Sequence, residues 1–237
     1  MTDLDEIFAP LSAAMPELSR AEQRMAMALY RELMRGEPVR REQLAAVLDL
    51  PTREVVDALE RPALRWLVFY DDEQRVVGFG GLAVVEMSHR FTIRGRTLYT
   101  WCAWDTLFLP EILGEVAEIE STCPQTKQPI RLTVGPDGVR AVDPQDTVVS
   151  FLLPDPREFE QTTTETIKGF CHYVYFLSSP EAGERWTAEH EETFVLTLDE
   201  AVSLAGMINA ARFDKLLGEI RESGTARAVA RLPQVNS

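Results

Sequence analysis

The spacing of apolar residues along the chain changes near Trp66, and this change limits the folds that the chain can adopt. Before Trp66, apolar residues recur at helical spacing over Arg20–Met34, Val39–Leu48 and Arg53–Trp66, with a further short helix predicted at Leu4–Ala14. After it, short alternating runs are bounded by turn residues, which is typical of strands. Helices followed by strands predict an α+β fold.

Three helices followed by a β-hairpin, with strands over Trp66–Tyr70 and Val76–Val85, form the pattern of a winged-helix unit. Such units usually place their third helix in the major groove of DNA. Here that helix carries as many acidic as basic side chains, so its net charge is zero. The basic residues are Arg53, Arg61 and Arg65, and the acidic ones are Glu54, Asp57 and Glu60. We interpret the unit as a helical lid or scaffold.

The charge of the chain argues against nucleic acid and against an anionic membrane surface as partners. The net charge is -14, whereas nucleic-acid binding needs a positive face that replaces counterions. No apolar run is long enough to span a membrane, and the N-terminus lacks the pattern of a signal peptide, so we expect a cytoplasmic protein. Three cysteines are too few for a disulfide framework, and the three histidines lack metal-ligand spacing, so we expect no structural zinc.

The stretch Leu98–Leu113 places a thiol and a carboxylate, Cys102 and Asp105, in an apolar run. The aromatic residues around them are Tyr99, Trp101, Trp104 and Phe108. Poor solvation of such a carboxylate raises its pKa, and the spacing puts both groups on one face if the segment is helical. An alternative interpretation makes Cys102 a buried small hydrophobe and Asp105 a helix N-cap. Pro110 predicts two short helices in this stretch.

The other two cysteines differ in their surroundings. The apolar segment Phe170–Phe176 is predicted to be a strand, in which alternation places Cys171 and His172 on opposite faces. Cys123 lies beside Pro124 in a turn, where it is either structural or the remnant of a metal-binding knuckle. We favour the structural role for Cys123.

Three short elements resemble the alkylmercury lyase family. The first is Trp101-Cys102-Ala103-Trp104-Asp105-Thr106 with Pro110 after it, which is similar to the family's catalytic segment. The second is Phe170-Cys171-His172, and the third is Ser121-Thr122-Cys123 with Pro129. The resemblance runs from about Ala21 to Phe213.

The resemblance implies an enzyme that breaks a carbon–mercury bond by protonolysis and yields a hydrocarbon and Hg(II). Cys102 and Cys171 would bind mercury, which is a soft cation that prefers thiolates, and Asp105 would handle the proton. Tyr99, Trp101, Trp104 and Phe170 would line the substrate pocket. Hg(II) is a product here, and no cofactor is implied. The family implies an organomercurial substrate, small thiols and a mercuric reductase as partners.

Two positions depart from the family pattern. His172 stands where some members have a second adjacent cysteine, and strand alternation predicts that it faces away from Cys171. Trp104 stands where a smaller apolar residue is usual, which would narrow the pocket.

A non-enzymatic protein that binds or senses mercury or copper through Cys102 and Cys171 is the alternative function. Asp105 discriminates between the two functions, because a carrier needs no proton donor. A dithiol mercury site also requires the two sulfurs to lie within roughly 5 Å of each other.

The sequence therefore predicts an N-terminal winged-helix-like three-helix unit with a β-hairpin, followed by a mixed or antiparallel β-sheet core with flanking helices. We expect the winged-helix-like domain over residues 1–85 and the catalytic α+β domain over residues 86–222. Residues 223–237 are predicted to be a disordered tail.

Overall fold

A computed structural model describes residues 3–153 and 163–229 of the chain. Within these residues the backbone forms nine α-helices and eleven strands. The helices are α1 (Leu4–Ala14), α2 (Arg20–Leu33), α3 (Arg41–Leu48), α4 (Thr52–Leu59), α5 (Pro62–Arg65), α6 (Asp105–Leu113), α7 (Thr163–Gly169), α8 (Pro180–Glu189) and α9 (Leu198–Val229). A short 3₁₀ helix covers Cys171–Tyr173.

The strands pair into two antiparallel sheets. They are β1 (Val68–Tyr70), β2 (Val76–Phe79), β3 (Leu82–Ala83), β4 (His89–Ile93), β5 (Arg96–Thr100), β6 (Ala117–Thr122), β7 (Pro129–Gly135), β8 (Gly138–Asp143), β9 (Val148–Leu152), β10 (Phe176–Leu177) and β11 (Thr193–Thr197). The large sheet has eight strands in the order β1-β2-β3-β5-β4-β6-β7-β8, and the small sheet has the order β10-β9-β11. The predicted α+β class with a large antiparallel sheet is thus confirmed.

Helix α2 begins where its capping residue predicts, and the two helices predicted after it differ in their bounds. The side chain of Ser19 accepts a hydrogen bond from the backbone of Glu22, and Glu22 returns the contact to the backbone of Ser19, which completes a capping box at α2. Val39 pairs with Val76 in an isolated bridge, so α3 starts later than predicted. The third predicted helix is divided, because Pro62 takes the first position of α5.

The large sheet joins the N-terminal part of the chain to the rest. Strands β1, β2 and β3 pair in sequence, and β3 then pairs with β5. The sheet therefore continues across the predicted boundary between residues 85 and 86. The winged-helix detail is not confirmed, and the division into two domains stays a prediction.

Two helices cover one face of the large sheet. Burial alternates strictly along β6, from Ala117 to Thr122, so one face of this strand is packed and the other is exposed. On the packed side, α6 contacts β6, β7 and β8 as well as α9. The predicted break at Pro110 is wrong, since α6 continues through it as one helix. A proline removes a single helical hydrogen bond, and burial of Leu107, Leu109 and Ile112 offsets that loss.

The predicted strand over Phe170–Phe176 is also wrong in most of its length. The chain turns through the 3₁₀ helix and joins the small sheet only at Phe176. The predicted tail from residue 223 overlaps α9, which continues to Val229, and residues 230–237 lie outside the described part of the chain.

No helix in the described residues is both long and apolar enough to cross a membrane.

Candidate active site

Cys102 and Asp105 lie at the junction between β5 and α6. The strand ends at Thr100, and Asp105 is the first residue of the helix. The backbone N–H of Cys102 donates a hydrogen bond of 2.7 Å to Oδ2 of Asp105. The hydroxyl of Thr100 donates to the carbonyl of Cys102 at 2.9 Å, which fixes the turn from the other side. Asp105 is therefore not the N-cap of α6, a position that Trp104 takes.

Cys171 reaches this junction from a distant part of the chain. The backbone N–H of Ala103 donates to the carbonyl of Val174 at 3.1 Å, which joins the two segments directly. From β9, the hydroxyl of Ser150 donates to the carbonyl of Tyr173 at 2.7 Å and accepts from the N–H of Tyr175 at 2.9 Å. These hydrogen bonds hold the segment after Cys171 between β9 and the junction.

The two thiols and the carboxylate form one buried cluster. The Sγ atoms of Cys102 and Cys171 and a carboxylate oxygen of Asp105 all lie within 4.8 Å of one another. All three residues are buried, and Cys102 has no exposed surface. The sulfur separation meets the requirement for two thiolates that bind one soft metal ion.

Gly81 leaves the space that the carboxyl group of Asp105 occupies. Its φ is +94°, and a Cβ atom at this position would lie 2.6 Å from both Cγ and Oδ1 of Asp105. A side chain at residue 81 would displace the carboxyl group. The carbonyl of Gly81 also accepts a hydrogen bond of 3.0 Å from the N–H of Trp101, which ties the glycine to the same junction.

Burial raises the pKa of Asp105 to about 7. Hydrogen bonds from the backbone and side chain of Cys102 and from the backbone of Trp101 stabilise the ionised form, but they offset only part of this effect. Near neutral pH the carboxyl group is therefore present in both protonation states, as a general acid or base requires.

Both thiols keep their protons at neutral pH. Burial raises the pKa of Cys102 well above its ordinary value, and the neighbouring Cys171 and Asp105 raise it further. For Cys171, the hydrogen bond with Cys102 lowers the pKa, but burial and the negative charge of Asp105 outweigh it and the pKa is raised overall. A metal ion that binds these sulfurs would have to displace the protons.

An apolar cavity opens onto the cluster. Asp105 and Cys171 lie in its wall, together with three of the four predicted pocket residues, Trp101, Trp104 and Phe170. Tyr99 is not among the lining residues of this cavity, and its place in a substrate pocket stays a prediction. Tyr99 alternates with the buried residues Leu98 and Thr100 along β5 and therefore lies on the other face of the sheet.

Several lining residues come from elements that the sequence did not connect with the site. They are Met15, Tyr30, Trp66, Leu67, Phe79, Gly80, Gly81, Ile208, Asn209, Arg212 and Phe213. The hydroxyl of Tyr30 donates to the carbonyl of Gly80 at 2.8 Å, so α2 supports the Gly80-Gly81 turn. The Gly-Gly pair was the available signal, because adjacent glycines between two strands indicate a special backbone conformation.

The third cysteine, Cys123, and two of the three histidines, His89 and His172, are not part of the cluster. Cys123 is buried, and its sulfur accepts a hydrogen bond of 3.4 Å from the N–H of Thr126. Burial raises the pKa of Cys123, but hydrogen bonds from Thr126 and Ser178 outweigh it and lower the pKa to about 7. His89 is buried against Ser121, and His172 is exposed although it follows Cys171 directly.

Comparison with known proteins identifies the family. The family model described as MerB, alkylmercury lyase, matches residues 82–209. An alkylmercury lyase of Staphylococcus epidermidis is 38% identical over 183 residues, which cover 77% of this chain and 80% of the relative. An alkylmercury lyase of Pseudomonas putida is 36% identical over 181 residues, which cover 76% of this chain and 80% of the relative. The chain belongs to the alkylmercury lyase family.

Comparison with a solved structure shows that the likeness includes the fold. A crystal structure of the mercury-bound form of MerB2 matches with a TM-score of 0.71 and 24% sequence identity. The match covers 89% of this chain and 99% of that one, so the two proteins share their architecture over nearly their whole length.

Replacing Gly81 by alanine should destabilise the protein through contact with Asp105. Gly95→Ala is the matched control, because Gly95 also has a positive φ, +74°, but a Cβ there would meet no atom within 4 Å. The two variants share the backbone strain and differ in the clash. We expect Gly81→Ala to lose roughly 1–3 kcal/mol more unfolding free energy than Gly95→Ala in urea titrations. Equal losses would show that the Gly81 contact is unimportant.

The raised pKa of Asp105 should make stability depend on pH. Between about pH 4 and pH 7 the unfolded chain loses this proton while the folded chain keeps it, so unfolding becomes easier as the pH rises. Relative to Asp105→Asn, the parent should therefore lose up to about 1.4 kcal/mol of unfolding free energy per pH unit across this window. Urea titrations at several pH values measure the difference, and a constant difference would contradict the raised pKa.

Proposed function

We propose that this protein is an alkylmercury lyase that breaks carbon–mercury bonds by protonolysis at Cys102, Asp105 and Cys171. The observation that carries this proposal is the buried cluster of two thiols and one carboxyl group, whose ligand atoms lie within 4.8 Å at an apolar cavity. Membership of the alkylmercury lyase family supports the same reaction.

Cys102 and Cys171 hold the mercury atom. Mercury is soft and polarisable, and thiolates are the soft ligands that a protein offers. The first sulfur to bind displaces the counter-ligand of the organomercurial. The second adds electron density to the metal, which increases the carbanion character of the bound carbon. Both sulfurs bind as thiolates, so each has to release its proton first.

Asp105 moves one of these protons from sulfur to carbon. With a pKa of about 7, its ionised form accepts the proton of a thiol, and the resulting carboxylic acid then protonates the bound carbon. The short distance within the cluster supports both transfers. The buried surroundings of the acid keep it protonated until it reacts with the carbon.

The atoms and electrons of this reaction balance without an external redox partner. One thiol proton leaves with the displaced counter-ligand, and the other passes through Asp105 to the carbon. The electron pair of the carbon–mercury bond becomes that of the new carbon–hydrogen bond. Mercury remains as Hg(II) on Cys102 and Cys171. The reaction therefore requires no resident cofactor.

The cavity accommodates the organic group and limits access of water. Trp101, Trp104 and Phe170 contribute large apolar surfaces next to the cluster. The indole N–H of Trp104 donates to the carbonyl of Ala201 at 3.1 Å, which fixes the ring against α9. A fixed ring of this size restricts the bulk of the organic groups that fit beside the mercury atom.

The product requires an acceptor with its own thiols. Hg(II) held by two thiolates leaves by exchange onto other thiols, so small thiols or a mercuric reductase would receive it. All three cysteines are free, which supports a cytoplasmic location, where thiols stay reduced.

The Asp105→Ala variant tests the acid. It should still bind one Hg(II) per chain, because both thiols remain, but it should release benzene from phenylmercury at least about 100-fold more slowly than the parent, in line with the usual contribution of a general acid. Gas chromatography measures the benzene, and dialysis with Hg(II) measures binding. Release at the parent rate would remove Asp105 from the mechanism. A parent protein that binds Hg(II) but releases no benzene would favour a mercury carrier.

Serine variants of the cysteines test the dithiol site. Cys102→Ser and Cys171→Ser should each lose both benzene release and retention of Hg(II) against a competing thiol, because one soft ligand is missing. Cys123→Ser is the matched control. It replaces a buried cysteine outside the cluster and should retain one Hg(II) per chain. Retention of Hg(II) by Cys171→Ser at the parent level would contradict the paired site.

A further inference from the structure

Arg212 lies in the wall of the cavity that contains Asp105 and Cys171. It belongs to α9, and its guanidinium group packs over the ring of Trp66 with 5.8 Å between the guanidinium carbon and the ring centre. This distance is within the range of a cation–π contact, which fixes the position of the group. A positive charge is therefore held at the edge of an otherwise largely apolar cavity.

The charge of Arg212 is not balanced by any acidic side chain that the structure describes. No described carboxylate forms an ion pair with Arg212, and its buried Nη1 atom has no hydrogen-bond partner among the described groups. Burial lowers the pKa of Arg212 to about 10, and the group still carries its charge at neutral pH. An unpaired cation with a buried donor atom is costly unless an anion joins it.

The other hydrogen-bond donors of the cavity wall do not offer the same interaction. The hydroxyl of Tyr30 donates to Gly80, and the amide of Asn209 donates to the carbonyl of Phe108 and to Oε2 of Glu111. The indole N–H of Trp101 has no partner in the described part of the chain, but it is neutral and does not select for charge. Arg212 thus combines a free donor with a charge.

We propose that Arg212 forms a carboxylate subsite in this cavity. The inference rests on the proposed lyase function and extends it to specificity: a carboxylate bound at Arg212 would orient the organomercurial while its mercury atom meets the two thiols. The planar guanidinium group matches a carboxylate in shape and charge. The carboxylate has two chemical sources, namely the organic group of the substrate and the thiol counter-ligand that delivers it.

The first arm of the test varies the organic group. For the parent and for Arg212→Gln, kcat/KM is measured with p-mercuribenzoate and with phenylmercury, which differ only in the carboxylate. The specificity is the ratio of the two values within one variant, so a general loss of active protein cancels. We expect Arg212→Gln to lower this ratio about tenfold or more, because a hydrogen bond to a charged group is lost.

The second arm varies the counter-ligand. Phenylmercury is supplied as its complex with 3-mercaptopropionate or with 2-mercaptoethanol, and the ratio of kcat/KM is again taken within each variant. A lower ratio for Arg212→Gln in this arm alone assigns the carboxylate to the delivering thiol, and a lower ratio in the first arm alone assigns it to the organic group. Unchanged ratios in both arms would overturn the subsite.

Two further variants separate this specific effect from others. Arg212→Lys keeps the charge at the subsite and should retain part of the preference for the carboxylate. Arg53→Gln is the control for overall charge, because it removes a positive charge from the surface of α4, where the side chain of Arg53 is 91% exposed. If Arg53→Gln lowered the ratios as much as Arg212→Gln, the preference would reflect the overall charge and the subsite would be wrong. If the parent released no benzene from phenylmercury, the lyase function itself would fail, which is a different outcome.

Discussion

The site depends on the free energy cost of burying the Asp105 carboxyl group. A hydrogen bond from the backbone N–H of Cys102 reduces this cost, whereas the close approach of Gly81 keeps the carboxyl group away from water, and no cation among the described side chains lowers its pKa. The hydrogen bonds thus offset only part of the cost of burial. If they offset all of it, the pKa of Asp105 would fall and the carboxyl group would have lost its proton at neutral pH. In the proposed mechanism, Asp105 has a proton to transfer because the charge of its ionised form is only partly stabilised.

The same burial has the opposite consequence for the two thiols. It keeps Cys102 and Cys171 protonated, although only thiolates bind mercury well. In the proposed mechanism a shared base resolves this conflict, because Asp105 lies within 4.8 Å of both sulfurs and would accept a proton when the metal binds. Binding there requires a metal whose affinity for the thiolates exceeds the cost of deprotonating them.

The sequence predicts the half of the site that is local. Cys102 and Asp105 are three residues apart among aromatic residues, a pattern that also fits plain core packing, and the resemblance to the alkylmercury lyase family joined Cys171 to them as one site. Arg212 gave no signal in the sequence, and the Gly80-Gly81 pair indicated only a special backbone conformation, because the roles of both residues arise from contacts between distant elements. Tyr99 shows the same limit of local reasoning: proximity in sequence suggested a place beside the cluster, while alternation along β5 places Tyr99 on the face of the sheet opposite Leu98 and Thr100.

The error at residues 170–176 has a physical cause. A short apolar and aromatic segment predicts a strand because such residues have high β-propensity. That propensity does not tell which groups will pair with the backbone N–H and C=O groups of the segment. Here the hydroxyl of Ser150 and the N–H of Ala103 satisfy backbone groups that a neighbouring strand would otherwise pair. A regular strand would pair the carbonyl of Val174 within a sheet and lose its bond to Ala103. The irregular backbone is therefore what brings Cys171 against Cys102.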